Sequence, residues 1–428
     1  MHRLAQKKRF FMNSGEETEA YGNILHNHYN GGKMKKTIVF ALILTTAFAF
    51  NLKLSAQKEA VYPQKFHIET NNLVDEAKKP FVLKGLSIRD PVAMNASNAS
   101  FQNECVPFDE KLFITAKEWG ANVVRLPVLP LSWKLQGRTN ALKSLGDAVE
   151  MAAKHKMYVV IAYQAAGWPS TDNPSDKSTR TTTEDLYSFW NDVSKHFKGN
   201  KTVAMYEMFS EPVTKQFMKI TEKDWIEWTD VMAQLVDTVQ RNDPEAICLI
   251  SGLSWAHDIS FALGYPVSRK NVGYAVHPYP ADSQLSTFKN FKLISMLAKK
   301  QFVFITEVGY DVELFINMSD VQKRVLEINP DLKQQMDEVR RQSGNKLYFS
   351  DMNRKLLESI LSNDKTTAYL KEISENYQKE FKKCIDAGNI SWCAWCLSCS
   401  WRPCLLKDKE YNPTSSGEYF KKILQEKK

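Results

Sequence analysis

Short apolar runs recur eight times along the chain, each too brief for a helix and bounded by polar or turn-forming residues. They span Leu83–Ile88, Ala121–Leu126, Met157–Ala162, Val203–Phe209, Ala246–Ile250, Val272–Val276, Phe302–Thr306 and Ile390–Ala394. Near-continuous runs of this kind suit parallel strands buried on both faces. Between them the apolar spacing changes to that of helices. Thr221, with Asp224 three residues on, predicts a helix start, and Trp225, Trp228, Met232, Leu235 and Val239 form its stripe before Asn242-Asp243-Pro244 stops it. Leu370, Ile373, Tyr377 and Phe381 mark another helix over about 366–386, ended by Gly388. Strand and helix alternating in this way predict an α/β fold, a (β/α)8 TIM barrel. Ahead of it, Phe66–Leu73 and Phe81–Leu83 flank Asp75–Pro80 like the arms of a β-hairpin. About eighty residues separate Glu307 from Ile390, more than one helix needs, so residues 311–363 are expected to be an insertion on the seventh βα loop.

The charge changes the picture at the N-terminus. The formal net charge is +8, but residues 1–56 hold eight Lys or Arg against three Glu. Taking those from 57 basic and 49 acidic residues leaves 49 and 46, a net of +3. That is no footprint for nucleic acid. Met34-Lys35-Lys36, an apolar stretch from Thr37 to Phe50 and the small residues Ser55-Ala56 before Gln57 read as a secretory signal peptide over 34–56. The stretch is too short for a comfortable membrane span. Residues 1–33 are polar and aperiodic, and read as a disordered upstream extension from a start assigned too early. One domain over 60–428, secreted or periplasmic, is then expected.

Seven cysteines leave at least one unpaired within the chain. Cys393, Cys396, Cys399 and Cys404 approach the spacing of a cluster-binding run, but the last gap is four and Pro403 precedes the final cysteine. Residues three apart on a strand also point to opposite faces. A disulfide between two of Cys396, Cys399 and Cys404 is the expectation, with no metal and no cofactor.

The candidate chemistry lies at the ends of two runs. Glu211 follows Val203–Ser210, and Glu307 follows Phe302–Thr306. Acids just past two buried strands are how a parallel barrel presents paired carboxylates across one cleft, the equipment for breaking a glycosidic bond. Around them lie Asn122–Pro127, Phe209-Ser210-Glu211-Pro212, Ser251–Asp258, Val276-His277-Pro278-Tyr279, Phe304–Gly309 and Ser391–Trp395, in order and at barrel spacing. In these motifs the chain resembles glycoside hydrolase family 5, the cellulase-like retaining barrels, from about Phe66 to Leu424.

The resemblance implies Glu211 as acid/base and Glu307 as nucleophile. It implies Arg125 beneath the nucleophile, Tyr279 with its hydroxyl on it, His277 beside the acid/base, and Trp395 as a floor for a sugar ring. Arg125 also has an interior ion pair with Glu207 open to it. Trp168 and Trp255 on neighbouring loops are further candidates for the cleft, with simple packing as the alternative. Two positions depart from the family. Ser210 stands where it has Asn, and Gln164 stands where it has His. The implied function is an exported retaining hydrolase of a β-linked polysaccharide or oligosaccharide, β-1,4-glucan first, acting as a monomer. The alternatives are a catalytically impaired carbohydrate-binding barrel and a β-mannanase or xyloglucanase type.

Overall fold

In the computed structural model, which describes residues 62–94, 105–170, 176–214, 220–342 and 354–426, the eight runs become eight parallel strands. Two short strands come first: β1 (His67–Glu69) and β2 (Asn72–Val74) pair antiparallel. Then follow β3 (Lys84–Ser87), β4 (Val123–Val128), β5 (Tyr158–Tyr163), β6 (Ala166–Gly167), β7 (Val203–Glu207), β8 (Glu211–Pro212), β9 (Cys248–Ser251), β10 (Val272–Val276), β11 (Val303–Val308) and β12 (Ser391–Ala394). The barrel closes in the order β3-β4-β5-β7-β9-β10-β11-β12 and back to β3, while β6 and β8 make a two-residue parallel pair of their own.

The predicted N-terminal hairpin is present but short: Val74 bridges Pro80 antiparallel, and Phe81 N–H donates to the Leu73 carbonyl at 2.8 Å. A further turn at Thr70 (φ 58°) folds the predicted first arm on itself, so that β1 pairs with β2. Asp75–Lys79 forms a second turn, in which Asp75 Oδ1 accepts from the backbone N–H groups of Ala77 and Lys79. An Asp side chain that closes its own turn offers a cheaper reversal than a long loop.

Alternation along the strands sets the layers. Val123, Val160, Met205, Leu249, Ala275, Phe304 and Cys393 share the apolar cluster that Phe66 and Leu73 of the N-terminal segment join. Their neighbours Val124, Ile161, Tyr206, Ile250, Val276 and Ile305 belong to the second cluster, against the helices. The Glu222–Asn242 helix begins with the predicted capping box, Thr221 and Asp224 each bonding the other's backbone N–H, and buries the predicted stripe. The second predicted helix runs Asp364–Asp386, capped by Asn363. The insertion is helical too, with Val312–Ile316, Ser319–Ile328, Leu332–Gln342 and Arg354–Leu361. Among the described residues no helix is long and apolar enough to cross a membrane. The signal-peptide and upstream-extension readings lie outside the described residues.

Candidate active site

Counting by twos from the apolar layer leads to the site. Two residues past Val123 is Arg125, and two past Met205 is Glu207, both completely buried. Glu207 takes Arg125 on both arms, Nε to Oε2 at 2.6 Å and NH2 to Oε1 at 3.0 Å. NH1 of the same guanidinium stands 2.9 Å from Glu307 Oε1. Both roles open to Arg125 are therefore filled at once. A buried cation facing two carboxylates is held by the fork geometry that only arginine offers.

Strict alternation would turn Glu307 outward, since Phe302 and Phe304 face in. The β11–β12 register corrects it. Ile305 pairs with Trp392 but Val308 with Ala394, so β11 carries one extra residue between them. This bulge leaves Thr306 and Glu307 both buried and keeps Val308 in the outer layer. Glu307 then meets two hydrogen-bond donors, Gln164 Nε2 at 3.3 Å to Oε1 and the Tyr279 hydroxyl at 2.8 Å to Oε2, beside its ion pair with Arg125 NH1.

Glu211 is set differently. The chain leaves β7 after Glu207, and Ser210 N and Glu211 N donate to the carbonyls of Tyr163 and Ala165. Glu211 thus sits on β8 against β6, not on a barrel strand. An extended strand would put it about 13 Å above Glu207, yet one imidazole reaches both. His277 Nδ1 lies 3.4 Å from Glu211 Oε1 and 3.6 Å from Glu307 Oε2, and Nε2 lies 3.4 Å from Glu207 Oε1 and 3.1 Å from Thr306 Oγ1. One oxygen each of Glu211 and Glu307 lie within 4.8 Å of one another.

These acids border a cavity of about 330 Å³ lined by Gln164, Glu211, Tyr279, Glu307 and Trp395, with Asp311, Leu314, Arg402 and Pro403 closing it. Trp395 lies 5.7 Å from the Arg125 guanidinium and stacks at 5.6 Å on Trp401. Gly309, beside it, has no room for a side chain: a Cβ there would stand 2.9 Å from the Trp395 carbonyl oxygen. This fold and cleft coincide with a family profile: the description "Cellulase (glycosyl hydrolase family 5)" matches residues 74–400.

The chain belongs to glycosyl hydrolase family 5.

Among curated relatives, an endoglucanase of Clostridium saccharobutylicum is 22% identical over 284 residues, covering 64% of this chain and 57% of its own. Endoglucanase Z of Dickeya dadantii is 24% identical over 195 residues, covering 45% and 41%. The chain spans about half the length of these relatives. Among solved structures, a β-glucanase of Saccharophagus degradans in complex with cellotetraose superposes at a TM-score of 0.64 with 23% identity, covering 84% of this chain and 93% of that one. At that identity the likeness speaks for the fold.

Within this family-5 site the electrostatics are closely coupled. Burial alone would raise Glu207, but the charge of Arg125 and the His277 hydrogen bond outweigh it and hold the carboxyl at about 2. Burial works against a charged His277, yet Glu307, Glu207 and Glu211 around it raise the imidazole to about 9. Burial pushes Glu307 upward, opposed by His277 and Arg125 and reinforced by Glu211 and Glu207. Burial, then the Glu307 charge, keeps the Tyr279 hydroxyl protonated. Glu211, His277 and Glu307 form a donor set that a divalent ion uses elsewhere. Here a protonated imidazole has no lone pair to give, and Arg125 already neutralises Glu307. The set fits a hydrogen-bonded triad better than a metal centre.

The remaining candidates separate. Trp255, 41% exposed, lines a wider groove of about 850 Å³ that shares Glu211, Tyr279 and Leu314 with the central cavity. Trp168 instead packs on Trp228 at 5.3 Å and lines neither cavity. Ser210 is completely buried and is absent from the lining. The expected disulfide is corrected: Cys399 pairs with Cys105, 294 residues away, and ties the eighth loop to the segment after β3. Proximity along the chain misled here, because barrel closure brings the last loop beside the first. Sequence reasoning missed Arg402, which bonds Glu313 and Asp311 at the start of the insertion and so fixes one wall of the cavity. An Asp before a helix start was its one visible signal, as Asp311 caps that helix.

Proposed function

We propose that this chain is an exported retaining glycosidase acting on β-linked glucan, β-1,4-glucan first, by double displacement. Glu307 attacks the anomeric carbon while Glu211 gives its proton to the leaving oxygen. Glu211 then takes a proton from the water that releases the sugar from Glu307. The observation that carries this reading is the separation of the two carboxylates, whose nearest oxygens lie within 4.8 Å. Retaining enzymes hold their carboxyls about 5–5.5 Å apart, inverting ones leave about 6.5–9.5 Å for a water. The contacts support these roles: Glu307 accepts from Gln164 and Tyr279 and pairs with Arg125, while Glu211 has His277 alone among the described residues and is open to the cleft. The names of the relatives support glucan as the substrate class. Export is supported by the 34–56 pattern and by a disulfide, which persists in oxidising compartments.

A panel of β-glucan, mannan and xyloglucan, read by release of reducing ends, tests the activity and its substrate. Proton NMR of the first product tests the stereochemistry, and an α-anomer from a β-linked substrate overturns double displacement. Glu307→Gln is expected to abolish turnover. A second reading, a binding barrel with impaired chemistry, draws on Ser210 and Gln164. Binding of oligosaccharide without release of reducing ends is the result that favours it.

A further inference from the structure

The two positions where this chain departs from its family touch each other, and together they aim one amide into the cavity. Gln164 follows β5, with its backbone N–H on the Val128 carbonyl at 2.9 Å. Its side-chain amide has only one permitted orientation. Arg125 NH2 lies 3.0 Å from one end, and a guanidinium donates only, so that end is the oxygen. The Ser210 hydroxyl stands 3.1 Å from the same oxygen. The amide nitrogen is thereby forced the other way, 3.3 Å from Glu307 Oε1. It has two hydrogens and spends one there. The second has no partner among the described residues, and Gln164 lines the cavity with Glu307 and Trp395.

Ser210 does the opposite. It is wholly buried and takes a bond from Arg125 NH2 at 2.9 Å.

We infer that Gln164, oriented by Arg125 and Ser210, donates to the sugar hydroxyl on the carbon next to the one attacked. This rests on the hydrolase reading above. The chemistry leads there directly. Glu307 Oε1 takes the Gln164 amide beside Arg125 NH1, and Oε2 takes the Tyr279 hydroxyl with His277 Nδ1 at 3.6 Å, so attack by Oε2 leaves the Gln164 amide flanking the oxygen that stays out of the new bond. The hydroxyl nearest the attacked carbon then falls beside Oε1, where the unused amide hydrogen points. A bond to that hydroxyl strengthens as the sugar ring gains positive charge, and so contributes to rate as well as affinity. Gln164 is on this account a substrate-touching residue, and Ser210 a positioning residue that acts through it.

The test is a cycle over protein and substrate. Gln164→Leu and Gln164→Asn, each checked for an unchanged melting temperature, are assayed on a 2,4-dinitrophenyl β-cellobioside. The same assays are run on its analogue lacking the 2-hydroxyl of the ring bonded to the leaving group. On the parent substrate kcat/KM is expected to fall about a hundredfold. On the deoxy analogue both variants should match the native enzyme within a few-fold, because the partner is already gone. Equal losses on both substrates overturn the inference and leave Gln164 as a brace for Glu307. If native protein turns over neither substrate, the hydrolase reading fails instead. Calorimetric titration with cellobiose and its 2-deoxy analogue then decides the contact alone. A native preference for cellobiose that both variants lose supports it, and no native preference overturns it.

Discussion

At the residue scale the site is one hydrogen-bonded unit, and its members are expected to fail in different ways. Glu211→Ala removes a proton donor, so its cost depends on how much the leaving group needs one. Turnover is expected to fall about 10²–10⁴-fold on cellotetraose and far less on a dinitrophenyl glycoside. Equal losses would take the acid role away from Glu211. Arg125→Met leaves Glu207 buried and charged with no cationic fork beside it. Breaking such a pair costs about 3–5 kcal/mol, to be read by urea unfolding, and should lower stability along with activity. Most of these residues were legible as types at strand ends: Arg125, His277, Tyr279, Glu211, Glu307 and Trp395. Their connections were not. That one imidazole touches three carboxylates, or that Ser210 is spent inside the wall, depends on where the chain goes after a strand stops. Trp168 and Trp255 were indistinguishable as letters, and only their neighbours divide packing from cleft.

At the element scale the barrel was readable because its strands are buried on both faces and so write unbroken apolar runs. All eight fall within a few residues of their predicted bounds. The bulge in β11 was not readable, since one extra residue changes no composition. The same holds for the eighth loop, whose tie to Cys105 spans nearly the whole domain. By loop-closure entropy a crosslink across 294 residues stabilises by about 6 kcal/mol at most. Cys399→Ser is expected to lower the melting temperature by several degrees, and dithiothreitol should lower the native protein to the same value while leaving the variant unmoved. A reductant effect that persists in the variant would assign the bond elsewhere.

At the scale of the whole molecule the buried charges set a pH window. His277 is raised to about 9 from 6.5, so the stability it contributes is full below 6.5 and lost as pH climbs through 9. Glu207, lowered from 4.5 to about 2, contributes above 4.5 and loses that contribution as pH falls through 2. These two contributions are therefore both full between about 4.5 and 6.5, and the His277 contribution drops on the alkaline side by roughly 3 kcal/mol. His277→Gln should flatten the alkaline limb, and a slope unchanged in that variant would place the titrating group elsewhere. The position of this imidazole has one more consequence. With Glu211 carrying its proton, two cations face two anions, and the interior sums to zero. Sugar transfer would turn Glu307 into an uncharged ester at the moment Glu211 becomes an anion. The total stays at zero, and the negative charge has only passed from one neighbour of His277 Nδ1 to the other, from 3.6 Å away to 3.4 Å. A single fixed counter-ion thus serves both halves of the proposed cycle, with no salt or solvent needed to rebalance it.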